Sequence, residues 1–207
     1  MANDKWANPQ EMWDERFGQA EPVYGEHPNA YLRAQVFRLT PGGKVLVPGD
    51  GYGRNGLWLA KQGFQVSTVD LSPVGVERAR KAAQAAGLAM TIEEADLATW
   101  TWPDSEFDAV ASIFLHLPPE VRPKIHARML SALKPGGLLI IEAFTPAQLQ
   151  NSSGGPKQVE LLYTAEILRK DFAEADALEL LEVEIDLDEG RLHRGRAAVV
   201  HGIFRKQ

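Results

Sequence analysis

VLVPGDGYGRNGLWLA, Val45 to Ala60, decides how the chain is read. Val45-Leu46-Val47 reads as a short buried strand, Gly49-Asp50-Gly51-Tyr52-Gly53-Arg54-Asn55-Gly56 as a loop, and the residues that follow as a helix start. The subset Gly51 to Gly56 matches G-x-G-x-x-G, in which glycines allow a tight turn and a close approach of backbone to ligand. Asp70 closes the next strand candidate about 20 residues on, where a carboxylate can grip ribose hydroxyls. This window predicts a nucleoside cofactor, and taken alone it admits a dinucleotide.

Outward from it, strand and helix signals alternate. Strands are predicted at Lys44–Val47, Gln65–Val69, Met90–Glu93, Phe107–Ile113 and Leu138–Phe144. Helices are predicted at Arg54–Gln62, Pro73–Ala86 and Pro119–Leu133. Nearly all-apolar strands separated by helices imply parallel βαβ units covered on both faces. Ser72-Pro73 is a cap followed by proline at a first helical position, Gly63 and Gly87 are left-handed terminators, and Pro118-Pro119 opens the third helix. Residues 145–157 are rich in Pro, Gly, Ser, Asn and Gln and read as a loop. A short helix over Thr164–Phe172 follows. Leu178–Leu187 and Arg196–Phe204 then read as an antiparallel hairpin joined by Asp188-Glu189-Gly190. The expected fold is α/β and Rossmann-like: a mostly parallel seven-stranded sheet, helices on both faces, and a C-terminal antiparallel hairpin.

Composition narrows the function. The chain has 207 residues, which predicts one domain. Its net charge of −6 argues against a bare nucleic-acid backbone as partner. The absence of cysteine excludes a thiolate nucleophile and Cys-based zinc. The histidines have no metal-ligand spacing, so no metal is expected. The N-terminus lacks a basic segment followed by an apolar core, and no apolar run approaches the ~20 residues that span a bilayer, so a cytoplasmic protein without membrane contact is expected.

The chain also carries Glu94-Ala95-Asp96-Leu97 after the third strand, Phe107-Asp108-Ala109-Val110 at the fourth, and LKPGGLLIIEAF from Leu133 to Phe144. With the glycine loop and Asp70, this ordered set resembles the class I S-adenosylmethionine (SAM)-dependent methyltransferases over about Val45 to Phe144. RNGLWLAKQGFQVSTVDLSPVGVERA, EAFTP, GGPK and LLYTAEILRKDF are similar to bacterial tellurite-resistance-type methyltransferases. The resemblance implies SAM as cofactor, S-adenosylhomocysteine as product, and a glycine loop that holds the methionine part of SAM. It implies a single domain over 1–207, with an N-terminal aromatic lid or helical segment (1–40), a cofactor core (41–144) and an acceptor loop, helix and hairpin (145–207). Val47 and Asp50 depart from the pattern, which has an acid near the end of the first strand and a small residue between the first glycines.

Open parallel sheets bind ligands at the carboxyl ends of their strands. The expected cofactor residues are therefore Gly49, Asp50, Gly51, Gly53, Asn55, Asp70, Leu71, Asp96, Leu97 and Ile113. His116, at the mouth of the fourth strand, is the candidate base or orienting group, against a packing role beside Pro118. Trp13, Phe17 and Tyr24 match the family's lid segment, and Phe144 and Tyr163 are placed at the acceptor end. Trp6, Trp100 and Trp102 read as packing residues, and His193 and His201 carry no assigned role. The function expected is methyl transfer to a small acceptor, a metalloid oxyanion, thiol or small metabolite, by a monomer or weak homodimer. An NAD-dependent oxidoreductase explains the glycine loop and Asp70 but not LKPGGLLIIEAF. A non-catalytic SAM-binding module is supported only by Val47 and Asp50.

Overall fold

The computed structural model describes residues 8–207; Trp6 lies outside them. The seven strands form one sheet: β1 Lys44–Pro48, β2 Gln65–Asp70, β3 Met90–Glu94, β4 Phe107–Ile113, β5 Leu133–Phe144, β6 Ala175–Asp188 and β7 Arg194–Lys206. Their spatial order is β3-β2-β1-β4-β5-β7-β6. The first five run parallel, and β7 is antiparallel to both β5 and β6. The order reverses at β1, so the cleft between β1 and β4 is the topological switch point where such sheets bind ligands.

Alternation along β1 divides the core. Leu46 packs with Val110, Leu139 and Ile141 under α5 (Arg122–Ala132) and α6 (Ala165–Asp171). Val45 and Val47 face the other way, onto Leu32 of α2 (Ala30–Gln35) and Leu59 of α3 (Arg54–Lys61). This period of two, with helices on both sides, explains the continuous apolar strands.

Local chemistry sets the helix ends. Ser72 accepts the Gly75 N–H at 3.0 Å and caps α4 (Pro73–Ala85), while Thr164 accepts the Ile167 N–H at 3.1 Å and caps α6. Two expectations need correction. The third helix opens at Arg122, with Pro123 in its first turn, because Pro118 and Pro119 form a turn ahead of it. The strand β5 starts at Leu133 rather than Leu138: Leu133 pairs with Phe107, and the register shifts before Leu138 joins Ala109. The N-terminal segment holds two helices, α1 (Pro9–Phe17) and α2. The 145–157 loop contains a 3₁₀ turn, Pro146–Gln150, that buries Gln148.

Candidate active site

A cavity of about 380 Å³ opens at the carboxyl ends of β1, β2 and β4. Gly49, Asp50, Gly51, Asn55, Asp70, Leu71, Asp96, Leu97 and Ile113 line it, together with Trp13, Phe17, Tyr24, His116 and Phe144. Gly53 and Tyr163 do not.

The glycine loop is shaped by backbone. Gly49 and Gly51 have φ of 69° and 59°, a region that favours glycine. A Cβ on Gly51 would lie 2.5 Å from Phe17 Cζ, and one on Gly49 2.8 Å from Leu115 Cδ1. Gly53, at φ 87°, caps α3; a Cβ there would meet Ala79 Cβ at 3.0 Å, so this glycine lets α3 approach α4 rather than facing the cavity. Asp70 accepts the Gly51 N–H at 2.7 Å and the Ser72 N–H at 2.9 Å. It therefore fixes the loop relative to the end of β2 while lining the cavity. Asp96 is exposed and accepts the Ala98 N–H at 2.8 Å, which folds the loop that carries Leu97.

Asp50 and Asn55 line the cavity, but their side-chain oxygens are engaged elsewhere. The Asp50 carboxylate accepts the N–H groups of Asn55 (3.2 Å) and Gly56 (2.8 Å), satisfying the start of α3. The Asn55 carbonyl accepts the Asn29 N–H at 2.9 Å and ties down the N-terminal segment.

His116 is held as a brace. Its Nδ1 lies 2.7 Å from the Leu161 carbonyl and so carries the proton; Nε2 accepts the Phe144 N–H at 3.3 Å. Burial pushes its pKa down to about 4. A ring so held links the ends of β4 and β5 to the Leu161 turn and is a poor proton acceptor. This corrects the candidate base. Tyr163 is fully buried behind it, and its hydroxyl accepts the Leu117 N–H at 2.7 Å. The pair explains how the β4 loop keeps its shape. Trp100 and Trp102 pack against one another outside the cavity.

The roof comes from both ends of the described chain. In α1, Trp13 stacks on Phe17 at 5.3 Å, and Arg16 lies 4.9 Å over the Trp13 ring. Asp14 accepts the Ser72 hydroxyl, seating α1 on the start of α4. Tyr24 sits against His193 of the β6–β7 turn, ring centroids 4.6 Å apart. Leu192 N donates to the Val23 carbonyl at 2.9 Å. Arg54 fastens these pieces: one guanidinium nitrogen donates to Tyr24 O at 3.0 Å, and another pairs with Glu189 at 2.7 Å, both side chains 7% exposed.

Among the cavity residues that escape the sequence reading are Arg16, His193 and Phe114. Arg16 lies on a helix with no strong apolar stripe. His193 sits on a turn whose contact with Tyr24 spans most of the chain. Phe114 is non-glycine at φ 52°, stacked on Phe144 at 4.6 Å; such backbone strain is typical of ligand sites. Of these three, Phe114 had a sequence signal, its place in SIFLHLP at the end of β4.

The site's charges oppose one another in their effect on stability. Burial raises Asp50 to about 7 and Asp70 to about 6. Burial, then the nearby Arg54, His116 and Arg16 charges, lowers His193 to about 3. Between about pH 4 and 6 the folded chain holds more protons on the carboxyls and fewer on His193 and His116 than the unfolded chain. The carboxyls make stability fall as pH rises, and the histidines make it rise. His126, also kept neutral by burial, adds a third rising contribution, so His193→Phe is expected to make the profile rise less steeply with pH, by up to about 1.4 kcal/mol per unit. Urea midpoints across this range check it; an unchanged profile would show that His193 is not held neutral.

Among the described residues, no cluster of His, Asp or Glu could hold a metal, and no helix is long and apolar enough to cross a membrane.

Residues 45–137 match the profile of the methyltransferase domain family. "Probable thiol methyltransferase 2" of Arabidopsis thaliana is 35% identical over 120 residues, 56% of this chain and 51% of that protein. The chain thus spans about half the length of this curated relative. A structure determined for the conversion of a disulfide bond into a thioacetal group during echinomycin biosynthesis superimposes with TM-score 0.77 at 23% identity, covering 97% of this chain and 93% of that one. TehB from Haemophilus influenzae superimposes with TM-score 0.69 at 19% identity, over 96% and 67%. These likenesses share the seven-stranded fold described above. Over residues 45–137, just under half of its length, the chain is therefore similar to methyltransferase domains.

Proposed function

We propose that the protein transfers a methyl group from SAM to a small acceptor, with a thiol as the favoured class. The observation that carries the reading is the meeting, at one cavity, of the constrained glycine loop, the strand-end Asp70, the Leu97 loop and an aromatic roof. The chemistry of these groups fits SAM. The Asp70 carboxylate suits ribose hydroxyls, and the Leu97 loop gives an apolar seat for adenine. Asp50 stands between the first two glycines, where its carboxyl would oppose the pyrophosphate of a dinucleotide but not an ammonium or sulfonium. None of the three residues that directly follow Asp70 (Leu71, Ser72 and Pro73) is basic and able to receive a 2′-phosphate.

When bound, SAM supplies a methyl group already activated on sulfonium. The chain's task is then to align the acceptor and exclude water. Trp13, Phe17, Tyr24, Phe114 and Phe144 supply the walls for that. The thiol preference rests on the name of the Arabidopsis relative, and a metalloid oxyanion is the second class to screen.

Calorimetric titration with S-adenosylhomocysteine, with NADH as the paired control, tests the cofactor. Binding of the first alone is expected. Binding of NADH alone would replace the reading by that of an oxidoreductase.

A further inference from the structure

Resting on this methyltransferase reading, the roof says in which ionic form the acceptor arrives. Arg16 lines the cavity, and among the described residues no carboxylate lies within ion-pair distance of it. Its NH1 donates to the Tyr24 hydroxyl at 3.0 Å. That hydroxyl's own proton has no acceptor among the described residues, so it is available to a ligand. Beside it stands His193, buried to 5% exposure, with Nδ1 unpartnered. Phe114 and Phe144 complete the box, with ring centroids 4.6 and 5.5 Å from His193. An unpaired cation, a free O–H and an orphaned imidazole in an apolar box make a receptor for a small soft anion.

Among the described residues, the titratable groups lining the cavity are engaged by hydrogen bonds or ion pairs or, at His193, kept from becoming imidazolium. Asp50 and Asp70 are held by backbone N–H groups, and Asp96 is exposed on the Ala98 N–H. Arg54 is paired with Glu189, and Tyr52 receives the Tyr24 N–H while donating to Gly25 O. His116 is braced at both nitrogens. His193 is surrounded by Arg16, Arg54 and His116, whose positive charge or burial disfavours imidazolium.

We propose that the acceptor enters as a thiolate, received by Arg16 and the Tyr24 hydroxyl beside His193, and that none of the described residues removes its proton. The step balances without one. The thiolate lone pair forms the new carbon–sulfur bond, the sulfonium carbon–sulfur bond breaks with its electrons on the departing sulfur, and the two opposite charges cancel. Arg16, Tyr24 and His193 act as an anion clamp that holds the sulfur in line.

The test uses 4-nitrothiophenol, thiophenol and benzyl mercaptan, whose acidities fall in that order. Thiolate absorbance of thiophenol bound to the S-adenosylhomocysteine-loaded protein is followed against pH. Its ionisation is expected to move down by about one pH unit, and Arg16→Gln is expected to remove the shift, with Arg16→Lys restoring part. S-adenosylhomocysteine affinity in both variants should stay within about twofold of the parent. In turnover with SAM, Arg16→Gln should lower kcat/KM for thiophenol by about tenfold. The midpoint of kcat/KM against pH should follow each thiol's own acidity. A midpoint common to all three thiols would reveal a protein base and overturn the proposal. So would loss of S-adenosylhomocysteine affinity in Arg16→Gln, which would place Arg16 on the cofactor. Cofactor binding with no thiolate bound would overturn it while leaving the methyltransferase reading intact. Failure of the parent to bind S-adenosylhomocysteine would overturn that reading itself.

Discussion

Replacing Glu189 by alanine is expected to destabilise the fold by about 3–5 kcal/mol, because it strands a buried guanidinium. One Glu189 oxygen accepts Arg54 NH2 at 2.7 Å; the other accepts the Asn29 amide at 3.1 Å and the Ala30 N–H at 2.8 Å. All three donors lose this acceptor at once, and the guanidinium loses its only counter-charge among the described residues, while Arg54 keeps the Tyr24 carbonyl and Asn29 keeps Glu142. Exposed pairs such as Lys81–Glu77 are of a different kind, contributing about 0–1 kcal/mol. Urea unfolding measures the difference. Combining Arg54→Met with Glu189→Leu should recover most of the loss, since the cost lies in the charge left behind rather than in the pair. A single-variant loss below about 1 kcal/mol would mean that water reaches Arg54 and that the roof is looser than described.

Asp70→Ala is expected to weaken S-adenosylhomocysteine binding by about thirtyfold to a hundredfold, or roughly 2–3 kcal/mol. Two effects add. A carboxylate that suits the ribose is lost, and the Gly51 and Ser72 N–H groups lose the acceptor that sets the loop against β2. Calorimetry on Asp70→Asn separates them. The amide retains an acceptor for one N–H, so part of the affinity should return. If Asp70→Ala bound as tightly as the parent, Asp70 would belong to the fold alone.

The parallel half of the fold was legible because its signals are local. Short, nearly all-apolar runs marked β1 to β4 to within a residue or two at each end, and the Ser72, Thr164, Gly63 and Gly87 punctuation stands where the helices start or stop. What failed was nonlocal or masked by proline. Pro118-Pro119 imitated a helix start that Pro123 supplies. The helices α1 and α2 are short and carry weak apolar periodicity, and they hold their place through Asp14 on Ser72 and Asn29 on Asn55, contacts that no window of sequence contains. At the site, a strand-end position was enough to bring Asp70, Leu97, Ile113 and His116 to one cavity. It said nothing of hydrogen-bond partners. His116 therefore looked like a base while its nitrogens serve Leu161 and Phe144, and Asp50 looked like a ligand while it caps α3. His193 and Arg16 needed the sheet to close before they could meet Tyr24.

The place of β7 in the sheet has a consequence for biosynthesis. It is the last of the seven strands in the chain, yet it lies between β5 and β6. On the ribosome β5 therefore emerges well before its outer neighbour exists. Its run of Leu139, Ile140 and Ile141, all fully buried in the finished protein, waits as an open edge of the kind that recruits other chains. Strand β6 is made in the interval but cannot close that edge, because its native partner is β7 along nearly its whole length. The hairpin has to form first and then dock as a unit. The time from synthesis of β5 to that docking is the interval in which the nascent chain is most open to aggregation and most dependent on chaperones.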